Sequence, residues 1–366
     1  MKSATPAPAR TFAFAALAVA VFSGALRPAD SAAAAPDDYT LPNGLRCIVV
    51  PHRRDPGAAS VRLVVRAGSL DERDDERGFA HFVEHLAFNG TRHHPPGQLR
   101  QFFQEIGLAD GADLNAFTGY SHTIYKIDLP AGRAARLGDT IAVLRDFADG
   151  LTFDPAEVNR ERGVVLSELA ARVNDASHIT EQRFAALFAG TRLPDRAPIG
   201  ATATLDRAAA DTLRAFYRRC YSPARMTVVI VGDVEPAAAK DLLAAHLGSL
   251  QPDETAVPPS PFAPPPVAEA TRAHFISSAT ILGAEVVLAA VLPVPADERE
   301  PSDDTLLAVA LLHRRLAARR QQEAARYGHF GTFHFSSGAL GTSAAGLSLS
   351  SAADDWESGC GSSKWS

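Results

Sequence analysis

The sequence predicts an α+β fold, a two-layer domain with its strands gathered on one side of several helices. Three observations carry this expectation. Runs rich in β-branched residues alternate at period two between turn residues, as at 61–66 and 122–129. Apolar residues recur at helical spacing over 133–149, 155–173, 181–188 and 212–221. At 366 residues the chain is also long enough for two domains, since about 150 residues per domain is a soft guide.

Taken in order, Lys2 and Arg10 precede an apolar stretch over residues 12–26, and a small-residue tract follows at 29–36. That arrangement reads as a secretory signal peptide over residues 1–35. The apolar stretch is short for a membrane span, which needs about 20 residues. The mature protein is therefore expected to be exported, periplasmic or secreted. Residues 45–50 and 61–66 are expected strands, the first begun by the Asn43-Gly44 turn. The charged cluster at 71–77 is expected as a solvated loop.

Residues 79–91 come next and organise the rest. Phe79, Phe82, Val83, Leu86 and Phe88 follow helical spacing and Gly90 offers a stop, which predicts a short, mostly buried helix. His93 and His94 precede Pro95-Pro96, which should pull them off the helix face into a solvated loop. Residues 98–106 read as an amphipathic helix, and 112–118 with 122–129 as a hairpin. Residues 226–234 read as a buried strand. Prolines dominate 251–268, an extended connector. Strands are expected at 284–294 and within 331–350, with a helix at 305–325 between them.

Composition narrows the function. A net charge of −6 with an ordinary apolar content leaves no basic footprint, so nucleic-acid binding is disfavoured. The three cysteines, Cys47, Cys220 and Cys360, are too few for a disulfide scaffold or a structural zinc cluster, although Cys47 and Cys220 could pair in an oxidising compartment.

The chemistry lies in the helix at 79–88. On a 3.6-residue turn His81 and His85 stand about 40° apart, with Glu84 about 60° to the other side of His81. Both imidazoles can reach one Zn2+, and the carboxylate between them is placed to take a proton from water. This is the H-x-x-E-H order. Three ionisable groups on one apolar helix are costly to bury without partners or a metal. A catalytic zinc wants a third protein ligand. The helix begun by Asp154, Pro155 and Glu157 offers Glu161 and Glu168, two turns apart on one face. Spacing alone does not choose between them, or between either and a solvated surface carboxylate.

The stretches 81–91 and 161–168 resemble the first and second motifs of the pitrilysin and insulysin family of zinc peptidases, which includes the mitochondrial processing peptidase. The resemblance implies His81, His85 and Glu168 as ligands of one Zn2+ per chain, Glu84 as general base and Glu161 as a supporting residue. The interval from His85 to Glu168 is a few residues longer than in pitrilysin, which fits the bacterial, exported branch. The resemblance also makes Asn115, Ala116, Phe117 and Thr118 an exposed edge strand to which a peptide substrate adds its own backbone. The Tyr221-Ser222-Pro223 turn and a strand closing on Gly232-Asp233 match the end of the family's first domain. Residues 37–250 would then form a catalytic domain of the processing-peptidase type, 251–268 a linker, and 269–366 an incomplete second domain of the same architecture. Arg320 and Tyr327 have the spacing of the family's oxyanion pair but read as its non-catalytic counterpart. The composition change after residue 357 suggests a truncated or frame-shifted tail. Expected partners are a peptide substrate and a second family subunit or a second copy of the chain, with no nucleic acid and no stable membrane span after signal cleavage.

Overall fold

The computed structural model describes residues 35–109, 111–261, 274–276, 284–293, 311, 315, 329–337 and 342–351. The expected signal peptide up to residue 34, the helix expected at 305–325 (apart from Leu311 and Arg315), Arg320, Tyr327, Cys360 and the tail beyond 351 lie outside the described residues. Residues 251–261 of the proline-rich stretch hold no helix or strand.

Six strands, β1 (Asp37–Thr40), β2 (Arg46–Pro51), β3 (Ala59–Val65), β4 (Leu114–Thr118), β5 (Thr123–Leu129) and β6 (Met226–Gly232), form one sheet in the order β1-β2-β6-β3-β5-β4. Only β2 and β6 run parallel. β3, β5 and β6 each bury alternate residues, so Val61, Leu63, Val65, Tyr125, Ile127, Val228 and Ile230 share one covered face. Leu63 pairs with Tyr125 on one side and Val228 on the other. A slip of one residue would turn that apolar row to water, which fixes the register.

Helices pack on that face. They are α1 (Phe79–Leu86), α2 (Gln98–Glu105), α3 (Leu137–Asp149), α4 (Pro155–Arg172), α6 (Thr202–Leu205), α7 (Ala210–Cys220) and α8 (Pro236–Leu247), while α5 (Asp175–Leu187) packs through Phe184 and Leu187 against a smaller cluster of Leu70, Phe188 and Leu193. Phe79 of α1 meets Phe216 of α7 edge to face at 6.4 Å, and Phe88 meets Phe147 of α3 at 5.4 Å. Asp154 caps α4 through the amides of Ala156 and Glu157, with Pro155 in the first turn. A separate sheet joins β7 (Ala284–Pro293), β8 (His329–Ser337) and β9 (Thr342–Ser351), antiparallel in the order β7-β9-β8. No described helix is long and apolar enough to cross a membrane.

Two sequence expectations need correction. Residues 71–77 are a solvated loop only in part, exposed at Arg73, Asp74 and Asp75. Two short 3-10 turns, Ser69–Asp71 and Asp74–Glu76, bury Glu72 and Glu76. Arg219 donates to Glu76 at 2.9 Å and Arg225 to Asp71 at 2.7 Å, so distant arginines neutralise what looked like a hydrated charge run. Burial pushes the Glu72 carboxyl up to about 8 against the pull of two backbone amides and Arg196. His93 and His94 are likewise not loose, because both lean on the fully buried Asp146, with His93 Nδ1 at 2.7 Å and His94 Nδ1 at 3.4 Å. The sequence left the pairing of Cys47 and Cys220 open; both are buried and free, and burial pushes each thiol up to about 11. They act as small apolar side chains.

One close approach sets the start of α1. Gly200 has φ +86, and a Cβ there would stand 2.4 Å from the Gly78 Cα and 2.7 Å from the Arg77 carbonyl. Gly200→Ala should therefore lower stability by at least about 1–2 kcal/mol from the left-handed backbone alone, read as a fall in the urea midpoint. An unchanged midpoint would contradict this packing.

Candidate metal centre

Helices α1 and α4 bring the site together. The His81 Nε2 and His85 Nε2 atoms lie 3.8 and 3.6 Å from one carboxylate oxygen of Glu168. The imidazole rings are 4.6 Å apart and inclined at 71°. All three donor atoms fall within 4.8 Å of one another. These separations are too long for hydrogen bonds. They are close to the roughly 3.4 Å that separates two ligands of a tetrahedral zinc with bonds of about 2.0–2.1 Å. Two imidazole nitrogens and one carboxylate oxygen, with space between them, fit that ion.

The surroundings prepare each donor. His85 Nδ1 donates to Glu161 at 2.7 Å, and the other oxygen of Glu161 accepts from Asn89 Nδ2 at 2.6 Å. This leaves the His85 Nε2 lone pair facing Glu168. Burial depresses His85, but the hydrogen bond and charge of Glu161 outweigh it and hold the imidazole above its ordinary value. Burial takes His81 down to about 4, so it is neutral and offers a lone pair at neutral pH. Glu168 is half-buried and pairs with Arg172 one turn on.

Glu84 is 8% exposed. Burial raises its carboxyl above the usual range, and the Thr118 hydroxyl that donates to it offsets part of that rise. A carboxyl raised in this way takes up a proton more readily than an exposed one, as a general base requires. Thr118 ends β4, so Glu84 is tied to the edge of the sheet. That strand pairs with β5 on one side only among the described residues. Along it Asn115 is exposed, Ala116 partly buried, Phe117 59% exposed and Thr118 buried.

All the residues expected at the site thus lie on α1, α4 and β4. The sequence did not single out Asn89 or the bond from Thr118 to Glu84. Asn89 stands four residues past His85, and that spacing was its available signal. Thr118 is 34 residues from Glu84, and nothing local connects them.

Residues 48–197 match the insulinase family, peptidase family M16, and residues 207–357 match the peptidase M16 inactive domain. The chain belongs to peptidase family M16. This M16 chain is 36% identical over 230 residues to the probable zinc protease PqqL of Escherichia coli strain K12, covering 62% of this chain and 25% of that protein. It is 32% identical over 198 residues to the chloroplastic stromal processing peptidase of Pisum sativum, covering 53% of this chain and 15% of that one. It matches the crystal structure of the first half of the periplasmic protease PqqL from Escherichia coli with a TM-score of 0.76 at 28% identity, covering 86% of this chain and 68% of that one. The M16 chain therefore spans a quarter or less of the length of these two curated relatives.

Proposed function

We propose that this chain carries the catalytic centre of a zinc metalloendopeptidase acting on extended peptides or unfolded segments. The observation that carries the reading is the meeting of His81, His85 and Glu168 beside a buried Glu84. His81, His85 and Glu168 would hold one Zn2+ per chain. Bound there, zinc supplies a Lewis acid that polarises a peptide carbonyl and makes water easier to deprotonate. Glu84 takes the proton of the attacking water and passes it to the leaving amine. Glu161, held by Asn89, keeps His85 in the tautomer that offers Nε2.

The free edge of β4, at Asn115, Ala116, Phe117 and Thr118, receives the substrate as an added strand. Its main-chain groups give affinity with little sequence preference, and the exposed Phe117 offers an apolar contact to one side chain. The resemblance to a periplasmic protease supports an exported location. A second family subunit or a second copy of the chain would enclose the peptide. The purified chain should hold about one zinc by elemental analysis, and chelation should abolish cleavage of a mixed peptide library, with zinc restoring it. Absence of stoichiometric zinc, or cleavage indifferent to chelation, would refute this reading.

A further inference from the structure

The two imidazoles of the site are held by different means. His85 has a side-chain partner, Glu161, on the nitrogen that faces away from Glu168. The corresponding Nδ1 of His81 is buried with no hydrogen-bond partner among the described residues. No acceptor therefore sets the His81 ring, and its place depends on packing and on the backbone that carries it. That backbone is anchored from outside the helix. Gly78, the residue that begins α1, has no side chain to cap it and lies at φ 99. Glu72 fills the role, accepting from the Gly78 amide at 3.0 Å and from the Ala80 amide at 2.9 Å, with its side chain 1% exposed. Ala80 is the residue before His81.

Glu72 is itself fixed. Its carbonyl accepts from Arg192 at 2.9 Å, Asp71 before it is bound to Arg225, and Glu76 after it to Arg219. The carboxyl group is thus a rigid post against which the first turn of α1 is set, its two oxygens accepting amides that the helix itself leaves unpaired. We propose that Glu72 is the positioning residue for His81, holding its Nε2 in register with His85 and Glu168 through the backbone as Glu161 holds His85 through the ring.

This rests on the zinc reading, and the experiment separates the two. Zinc affinity and the visible spectrum of the cobalt-substituted protein are measured on the full chain, well below each variant's Tm. The proteins are the wild type, Glu72→Gln, Glu72→Asp and Asn43→Ala. Gln turns a donor towards one of the two amides, and Asp is too short to reach both. Asn43 bonds the carbonyls of Leu247, Gly248 and Leu250, away from α1, so its loss tests general destabilisation. Glu72→Gln should weaken zinc binding about 10–100-fold, the range for residues that orient metal ligands, and shift the cobalt spectrum. Glu72→Asp should do so less, and it carries the test if the Gln variant fails to fold. Asn43→Ala should leave both readouts unchanged. Wild-type affinity and spectrum in the Glu72 variants, or equal losses in Asn43→Ala, would overturn the proposal alone. A wild-type chain that binds no zinc would instead end the metal reading and this one with it.

Discussion

Glu84→Gln should lower peptide hydrolysis by about 10²–10⁴-fold, the usual worth of a positioned general base, while the zinc content stays at the wild-type level. The two halves of this expectation come from different contacts. The donors that face one another are on His81, His85 and Glu168, and Glu84 is not among them. Its carboxyl is instead held by the Thr118 hydroxyl at the end of the edge strand, where an added peptide would lie. The amide of Gln keeps an acceptor for Thr118 and so preserves the packing, but it has no basic oxygen to take up a proton. Steady-state kinetics on a quenched peptide, with zinc measured on the same preparation, checks both parts. Activity retained at the wild-type level would remove Glu84 from the mechanism, whereas loss of zinc along with activity would show that it serves the site's structure.

The largest effect on stability is expected at Arg225. Its side chain is 2% exposed and pairs with Asp71, which is 4% exposed, and its Nε donates to the Arg66 carbonyl at 2.8 Å. Arg225→Met should cost about 3–5 kcal/mol, because it leaves the Asp71 carboxylate buried without its counter-charge. The double variant Asp71→Leu with Arg225→Met should recover part of that loss, since neither charge is then stranded. Urea unfolding of the single and double variants gives the coupling directly. A single variant within about 0.5 kcal/mol of the wild type, the range of an ordinary surface change, would mean that the pair does not anchor the segment leading into α1. That segment carries Glu72, so the same variant tests how firmly the start of the helix bearing His81 and His85 is tied to the sheet.

Much of the molecule was legible before any coordinates. Period-two runs located β2, β3, β5 and β6, and helical spacing located α1, α2, α3, α4 and α7, with boundaries a residue or two off except at the start of α3, expected at 133 and found at Leu137; α5, expected over 181–188, begins six residues earlier at Asp175. α8 escaped notice because it is rich in alanine, with Leu243 and Leu247 as its large buried residues. β1 escaped because it is four residues long and polar. The site was readable where it was local. The His81, Glu84 and His85 trio share an arc because of the helical repeat, and no tertiary contact is needed to say so.

Sequence by itself determined what each element offers: an α1 face with two imidazoles and a carboxylate, an α4 face with two glutamates, and a strand that could serve as an edge. Tertiary structure decided which of these meet. It set Glu168 opposite both histidines and Glu161 behind His85, a distinction that two residues on one helical face cannot make alone. It also sank Asp71 and Glu76 against Arg225 and Arg219, and drew His93 and His94 onto Asp146. The reason is that backbone periodicity is a property of neighbours in the chain. Whether a charge can be buried depends on a counter-charge, and these partners lie some 50 to 150 residues away.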